Sequence, residues 1–261
     1  MKLKNTILLT AVVLLACAQS CDRPVDNSKY FNLDQVVTTD NELTAAEKSQ
    51  GWKLLFDGKS FDGWHIAGTD HAPDSVWYVE NGEIVQHQRK PGARGVGDIV
   101  TDELFKNFIV KIDFKISEGG NSGFKYFVDP AMESIPGGYS IGCEFQMLDD
   151  LRHPDAKAGV KGNRTLSSLY DLIPAQKDAA NFDINKFNTA MVYVNGNHVE
   201  HWLNGVKVVE YERGTQMWNA LVAYSKYRNY PNFGNAEYGH LLLQDHSNEV
   251  HFKNVKIKVL D

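Results

Sequence analysis

The sequence predicts an all-β fold, either a sandwich of two antiparallel sheets or a closed barrel. Alternation with a period of two dominates the chain after Gly51, and in "FIVKIDFKIS" it places five apolar residues on one face. Asn-Gly pairs between such runs predict β-hairpins. Helical spacing is scarce, and "TQMWNALVAY" is the best candidate for a short helix. Many short strands, tight turns and few helices are typical of sandwiches and barrels.

The first residues, "MKLKNTILLTAVVLLACAQSC", are typical of an export signal. Two lysines form a positive end, and residues 7–16 are an apolar run too short to span a bilayer. "LLAC", ending at Cys17, resembles a bacterial lipoprotein cleavage site, and "AQSC", ending at Cys21, is a looser match. We therefore predict a signal peptide over residues 1–21 and a lipid anchor at one of these cysteines. That anchor would attach the protein to a membrane of the bacterial cell envelope, in the periplasm or at the outer membrane; a soluble secreted protein is the alternative.

Residues 22–50 are polar and lack periodicity, so we predict a tether with a short helix near residues 44–49. The folded domain is predicted over residues 51–261, a length that β-rich folds often use as a single unit. Only Cys143 remains in that domain, so no structural disulfide is expected. Its apolar neighbours indicate a buried, unreactive thiol rather than a nucleophile.

Three Asn-Gly pairs predict the positions of hairpins. The first, Asn81-Gly82, lies within "VWYVENGEIVQHQ". The others, Asn195-Gly196 and Asn204-Gly205, join three short strands of "MVYVNGNHVEHWLNGVKVVEYE" into a meander. Two further segments, residues 149–165 and 227–239, are too long to be simple connections. Loops of that size on a β-scaffold are usually functional or disordered.

The charge distribution argues against nucleic acid as a partner. The chain has 27 basic and 33 acidic side chains and no basic block or stripe. No glycine-rich phosphate loop opens a helix, so no nucleotide cofactor is expected. Aromatic residues make up 11% of the chain, which is compatible with stacking on sugar rings, although burial in the core is the commoner reason for them. Protein partners and oligomeric state remain unknown from the sequence.

The first candidate site lies in "GYSIGCEFQMLDDLRHPD", residues 138–155. Read as a strand, it directs alternate apolar side chains to the core and Glu144 and Gln146 to the opposite face. A carboxylate and an amide side by side in mid-strand favour the concave face of a ligand-binding sandwich, and an ordinary exposed sheet face is the alternative. Three more polar residues crowd the end of this strand: Asp149, Asp150 and His153.

The same loop contains histidine and aspartate side chains, which are common ligands of divalent cations. His153 lies near Asp149, Asp150 and Asp155 in the sequence, but their spacing matches no established ligand pattern. We therefore predict no metal site and leave dependence on a divalent cation open.

The second candidate site lies in "GHLLLQDHSNEVHF". If this segment is extended, Gln244 and His246 share one face while Leu241 and Leu243 face the core. Asp245 is the neighbour of His246, and a carboxylate can orient an imidazole or raise its pKa, although adjacent strand residues point apart. From the residues alone, a structural and a catalytic role of His246 are equally supported.

Three isolated side chains are weaker candidates. Asn121 lies in "GGNSGFKYF", where turn formation is the commoner explanation. Lys226, in "YSKYRNYPNFG", could neutralise an anion or polarise a carbonyl, although most exposed lysines are only solvated. Trp64 is assigned to the core rather than to a sugar-stacking platform.

The stretch "EFQMLD" is similar to the Glu-x-Asp-x-x-Glu strand of retaining glucanases with a jelly-roll fold, in which two glutamates act as nucleophile and acid. Gln146 and Asp149 replace the second and third of those acidic residues. Direct hydrolysis of an ordinary glycoside needs two carboxyl groups at a controlled separation, so the replacements argue against that mechanism.

Six ordered motifs resemble the landmarks of the 3-keto-disaccharide hydrolase family and together span residues 51–261. The resemblance implies a jelly-roll β-sandwich of the concanavalin A-like lectin/glucanase type. It also implies an envelope enzyme that acts on glycosides oxidised at C3 of a sugar ring. The motifs are "GWKLLFDGKSFDGW", "SVWYVENGEIV", "GGNSGFKYF", "GCEFQMLDDLRHPDA", "HVEHWLNGVKVVEY" and "GHLLLQDHSNEVHFKNVKIK".

A substrate of this kind does not require a pair of carboxylates. The ketone at C3 acidifies the proton on C2, so a base can form an enolate that expels the C1 substituent, after which water adds across the double bond. Placed on the motif positions, Glu144 or His246 is expected to be the base and the other the acid, with His153 assisting. The expected substrate-binding residues are Gln146, Asn121, Lys226, Asp149 and Gln244.

Two other functions stay open at the level of sequence. A non-catalytic, lectin-like protein shares this fold class, and function does not follow from fold. A conventional glycosidase is the second alternative, and Gln146 weakens it. In each case the expected ligand is a carbohydrate.

Overall fold

The computed structural model describes four stretches of the chain: residues 26–30, 39–73, 76–90 and 97–261. Cys17 and Cys21, the two predicted lipidation sites, lie outside these residues. In the described stretches, no helix is long and apolar enough to cross a membrane.

The described residues contain thirteen strands, numbered in chain order, which form two sheets. The strands are β1 Trp52–Leu54, β2 Trp64–Ile66, β3 Trp77–Glu80, β4 Glu83–Gln86, β5 Ile99–Thr101, β6 Phe108–Ile116, β7 Asn121–Val128, β8 Cys143–Leu148, β9 Asn188–Asn195, β10 His198–Leu203, β11 Val206–Glu212, β12 His240–Leu243 and β13 Val250–Val259.

The larger sheet has eight strands in the order β11-β10-β9-β6-β13-β4-β3, and β1 pairs with β13. The smaller sheet has the order β2-β5-β12-β7-β8. All of these pairings are antiparallel. The sheets pack through one apolar cluster to which Val110 and Phe114 contribute from the larger sheet and Phe124 and Phe145 from the smaller. The predicted all-β jelly-roll sandwich is thus confirmed.

The predicted hairpin turns are present. Asn81 and Gly82 both have positive φ angles, 53° and 79°, as do Asn204 and Gly205, at 47° and 84°. A two-residue turn of this kind needs that backbone, which Asn and Gly adopt most easily. The third turn is shifted by one residue from the predicted pair, because Asn195 is the last residue of β9 and pairs with His198. Gly196 and Asn197 form the turn, and β9, β10 and β11 form the predicted meander.

Both helices begin at a threonine that caps them. Helix α1 covers Ala45–Ser49, and its Thr44 and Glu47 each accept a hydrogen bond from the other's backbone N–H. Helix α2 covers Gln216–Ala223 and has Thr215 as its N-cap. The two short helices therefore lie where the sequence predicts them.

Two expectations about buried side chains are also confirmed. Trp64 is buried in the core, where its indole N–H donates to the carbonyl of Leu55 at 2.6 Å. Cys143 is buried as well, and burial raises the pKa of its thiol to about 12. At that pKa the thiol stays protonated and unreactive at neutral pH.

Parts of the predicted tether lie against the outer face of the larger sheet. Asn27 donates to the carboxylate of Glu200 at 2.9 Å, and both residues are buried. Further along, the backbone N–H of Asn41 donates to the side chain of Asn254 at 2.6 Å. The backbone N–H of Asn254 in turn donates to the side chain of Asn41 at 2.9 Å. These parts of residues 22–50 therefore belong to the packed structure. They cover an apolar patch formed by Trp52, Ile109, Met191, Tyr193 and Trp202.

Candidate active site

The predicted site lies on the outer face of the smaller sheet, away from the core between the sheets. In β8, Phe145 and Met147 belong to the core, and the alternation of the strand places Glu144 and Gln146 on the other face. Both polar residues are nonetheless buried, with 2% and 1% of their surfaces exposed. An ordinary exposed sheet face would leave them solvated, so loops must cover this part of the sheet.

The strand register brings the predicted residues of β8 and β12 together across β7. Lys125 of β7 pairs with Glu144, and Gly123 pairs with Gln146. On the other side of β7, the backbone N–H of Gln244 donates to the carbonyl of Gly123 at 2.9 Å. Glu144, Gln146 and Gln244 therefore surround one short segment of β7.

The absence of a side chain at Gly123 leaves room for the carboxylate of Glu144. A Cβ atom added at Gly123 would lie 2.5 Å from Oε1 of Glu144 and 3.0 Å from its Cγ. Such a contact is far inside van der Waals distance, so any larger residue at position 123 would displace the carboxylate. Gly123 is not among the residues predicted from the sequence, because its role depends on a side chain of the neighbouring strand.

Glu144 sits in a strongly perturbed electrostatic environment. Burial raises the pKa of its carboxyl, and the nearby cations Lys125 and Lys226 oppose that shift. Asp98 adds to the increase, whereas His246 acts against it. A carboxylate with a raised pKa is a stronger base, which is what proton abstraction requires.

Asp98 and Lys125 are further functional candidates, and neither is among the site residues predicted from the sequence. Lys125 Nζ lies 3.6 Å from the Asp98 carboxylate and donates to the carbonyl of Ser140 at 3.0 Å. The other oxygen of Asp98 accepts from the backbone N–H of Asp245 at 2.8 Å. Both charged side chains are buried. The only sequence signal for Asp98 is a single acid directly before a short strand.

Lys226 reaches the site from the loop after α2. Its ammonium lies 4.0 Å from the centre of the Tyr170 ring and 5.0 Å from that of Tyr227. Desolvation by surrounding atoms lowers the pKa of Lys226, and Glu144 acts against that change. The residue as a whole is still exposed to solvent. Lys226 therefore combines a positive charge, solvent access and proximity to Glu144.

His153 and His246 form an edge-to-face pair with ring centroids 5.7 Å apart. His246 is exposed and lies beyond the end of β12, whereas His153 is half-buried. The Nδ1 atom of His153 accepts from the backbone N–H of Asp155 at 3.2 Å, so its proton is on Nε2 in the neutral ring. Burial and the neighbouring His246 lower the pKa of His153. Asp245, next to His246, instead binds Arg89.

Three buried amide oxygens on β7, on β8 and just after β12 have no hydrogen-bond partner among the described residues. They belong to Asn121, Gln146 and Gln244, all of which were predicted to bind substrate. A buried acceptor without a partner is costly in a folded protein and calls for an explanation. Hydroxyl groups of a bound sugar would supply the missing donors.

Asp149, one of the predicted substrate-binding residues, makes contacts within its own loop and with Gly119. Its carboxylate accepts from the backbone N–H groups of Gly119 and Leu151, at 2.7 and 3.0 Å, and pairs with Arg152 at 3.1 Å. The first two bonds lower the pKa of the carboxyl against the effect of burial. Asp149 thus fixes the loop that carries His153 and has little capacity left for a ligand.

The carboxylates near His153 are engaged by cations. Asp150 pairs with Lys177, and Asp155 pairs with Arg164 at 3.1 Å. Among the described residues, one group of potential ligand atoms lies within 4.8 Å of one another, and it is on the larger sheet: His198, Glu200 and Glu210. Lys207 already binds both of those glutamates, at 3.4 and 2.6 Å, so we assign no metal there.

Comparisons with known proteins agree on the fold and on a class of chemistry. The profile of 3-keto-alpha-glucoside-1,2-lyase-like domains matches residues 51–258. A 3-keto-disaccharide hydrolase of Bacteroides thetaiotaomicron is 32% identical over 97% of this chain and 96% of its own. A crystal structure of a protein assigned as a glycosyl hydrolase from Parabacteroides distasonis shares 36% identity over 85% of this chain and 100% of its own, with a TM-score of 0.73. A second such structure from that organism, at 22% identity and a TM-score of 0.57, supports the fold alone.

Proposed function

Because the chain belongs to the family of 3-keto-α-glucoside-1,2-lyase-like domains, we propose that it cleaves glycosides oxidised at C3 by elimination across C1–C2 and subsequent hydration. The match to the Bacteroides hydrolase over nearly the whole chain supports a hydrolase that acts on carbohydrates. One observation carries the proposal for the site: the buried Glu144 carboxyl, which lies over Gly123 and interacts with the cations Lys125 and Lys226.

In the first step, the carboxylate of Glu144 takes the proton from C2. The electron pair of the C–H bond moves into the C2–C3 bond, and the ketone oxygen becomes an oxyanion. The ammonium of Lys226 stabilises that oxyanion, since a fixed cation near developing charge lowers the barrier. Of the two lysines, Lys125 is already bound to Asp98 and the carbonyl of Ser140, whereas among the described residues Lys226 Nζ contacts aromatic rings and keeps its donors available.

In the second step, the C3 carbonyl re-forms, the electron pair moves into the C1–C2 bond and the C1–O bond breaks. Protonated His246 gives its proton to the leaving oxygen. Water then adds at C1, His246 takes a proton from that water, and Glu144 returns its proton to C2. Both residues end in their starting states, so the net reaction is hydrolysis. His153, whose neutral ring has its proton on Nε2, can donate a hydrogen bond to the departing group.

Asp98 gives specific support to a second candidate function, the direct hydrolysis of ordinary glycosides. Its charge raises the pKa of Glu144, so two carboxyl groups interact on this face. Retaining and inverting hydrolases both use such a pair. Asp98 is, however, engaged by Lys125 and by the N–H of Asp245, which leaves it poorly suited to act as nucleophile or base.

Matched glycosides, native and 3-oxidised, separate these routes. We expect the purified protein to release the aglycone only from the oxidised compound, and to exchange the C2 proton with deuterium in D2O. Cleavage of the native glycoside without such exchange would support the second candidate and contradict the elimination. Binding of both compounds without turnover would instead identify a lectin-like protein.

Two substitutions test the assigned roles. We expect Glu144→Gln to reduce kcat and the rate of C2 exchange about 10²- to 10⁴-fold, because an amide cannot accept the proton. His246→Ala should slow release of the aglycone but not C2 exchange, since His246 acts as an acid only after the enolate has formed. Exposed Glu103 offers a matched control, and Glu103→Gln should leave both rates unchanged.

A further inference from the structure

We propose that Tyr170 is a positioning residue whose ring face holds the ammonium of Lys226 beside Glu144 and keeps its N–H donors free for substrate. The inference rests on the proposed function, in which Lys226 stabilises the C3 oxyanion. The observation behind it is the 4.0 Å separation between Lys226 Nζ and the centre of the Tyr170 ring. A cation over an aromatic face at this distance is attracted by the ring's quadrupole.

The ring is itself held by a closed circuit of contacts. The hydroxyl of Tyr170 donates to Asp155 at 2.7 Å, and Asp155 accepts from Arg164 at 3.1 Å. Arg164 also donates to Asp171 at 2.7 Å. Asp171 accepts from the backbone N–H of Lys226 at 2.8 Å. The circuit thus fixes both the backbone of Lys226 and the ring that its ammonium contacts.

Arg164 also prevents a competing interaction. Asp155 and Asp171 are the two carboxylates of the circuit, and the charge of Asp171 acts on the Lys226 ammonium. Both are already bound by the single guanidinium of Arg164. In the described part of the chain, the side-chain contacts of Lys226 Nζ are with aromatic rings. A π face attracts the charge without using the N–H donors in strong hydrogen bonds, so they remain available to an oxyanion.

Several charged groups face Lys226 and must stay constant in any test. Glu144 of β8 and Asp171 favour the charged ammonium, whereas Lys125 of β7 and Arg164 disfavour it. Desolvation is the largest influence on its pKa and acts in the same direction as the two cations. Removing the ring would change both desolvation and attraction, with opposite effects on that pKa. A useful substitution therefore keeps the size of the ring and changes only its electron density.

A series of fluorinated phenylalanines at position 170 meets this requirement. Tyr170→Phe removes the hydroxyl and keeps the ring, and one, two and three fluorine atoms then weaken its negative face stepwise at nearly constant volume. We expect the pKa of Lys226, measured by NMR with isotope-labelled lysine, to fall stepwise along the series. We also expect kcat on a 3-oxidised glycoside to fall about three- to tenfold from the Phe variant to the trifluoro variant. Lys106, an exposed lysine paired with Glu237, serves as the internal reference and should not change.

The two measurements distinguish failure of this inference from failure of the proposed function. A pKa of Lys226 that stays constant along the series, with normal turnover by the unmodified protein, overturns the positioning role and leaves the proposed function intact. A pKa that falls stepwise, in a protein that does not turn over the 3-oxidised glycoside, supports the positioning role and overturns the proposed function. Equal rates in all fluorinated variants, despite a falling pKa, would show that Lys226 does not act on the oxyanion.

Discussion

Glu144 is a charged group that the fold keeps out of water at a cost in stability. Its carboxyl is almost fully buried, and burial has the largest effect on its pKa, more than offsetting the two lysines nearby. Groups with raised pKa values of this kind cluster at active sites, where reactivity is maintained against stability. The site is therefore expected to be a weak point of the folded state at neutral pH.

Glu144→Gln should make the protein more stable at neutral pH although it is expected to reduce activity strongly. The folded-state pKa of Glu144 lies above its ordinary value of 4.5, so the folded protein binds the proton more tightly than the unfolded chain does. Stability contributed by the protonated group is full below pH 4.5 and is lost as the pH rises through the folded-state pKa. Urea unfolding of both proteins at a series of pH values measures the difference.

The expected result is a free energy of unfolding that favours the variant increasingly as the pH rises through that window, and by a constant amount above it. Glu103→Gln, at an exposed position, should show no such trend. Equal pH dependence of the wild-type protein and Glu144→Gln would contradict a raised pKa.

Strand β7 is the element that assembles the site, since it lies between β8 and β12 and contributes both Gly123 and Lys125. One face of the strand packs into the core through Phe124 and Tyr126. On the other face, Gly123 has no side chain, so the side chain of Glu144 can extend over it. The missing side chain at Gly123 thus lets β7 accommodate the carboxylate that we propose as the base.

Gly123→Ala should reduce kcat by about 10²-fold or more while the fold is retained, because its methyl group would displace the Glu144 carboxylate. Gly123 does not have a positive φ angle, so alanine introduces no backbone strain. Circular dichroism and Tm check the fold. In the Glu144→Gln background, the same substitution should cause no further loss; an additional loss there would mean that Gly123 acts through another group.

Local features of this site follow from the sequence, and cross-strand features do not. The Asn-Gly turns and the shared face of Glu144 and Gln146 depend on neighbours within a few residues, and these predictions are confirmed. Gly123 and Asp98 matter because of the register of other strands, which alternation alone does not specify. The role of Asp149 also depends on a backbone N–H thirty residues away, at Gly119.

On the scale of the whole molecule, the larger sheet carries no part of the candidate site, but its outer face holds the N-terminal segment. Asn27, Asn41 and Glu47 each bind a residue of that sheet through a polar side chain. Tyr30 and Leu43 pack on the apolar patch of the same face. The N-terminal segment therefore contributes to stability at a distance from the chemistry.

A chain that starts at Gly51 should be less stable than one that starts at Asp26. Removing residues 26–50 exposes the apolar patch around Trp202, takes the Asn27 hydrogen bond from the buried Glu200 and takes the Glu47 carboxylate from Lys256. We expect Tm to fall by about 5 °C or more, with increased binding of a hydrophobic dye. Turnover measured well below Tm should be unchanged, because the site lies on the other sheet. Equal Tm values for the two chains would show that the segment adds nothing to the fold.

The hydrogen bond between Asn27 and Glu200 also limits how the enzyme can be oriented at a bilayer. Cys21 precedes Asn27 by six residues, which span at most about 20 Å when fully extended. If a lipid at Cys21 anchors the chain, we expect the outer face of the larger sheet to lie toward the membrane. The outer face of the smaller sheet, which carries Glu144, then points away from the membrane. A bulky or surface-bound glycan can approach it there without steric hindrance from the lipid headgroups.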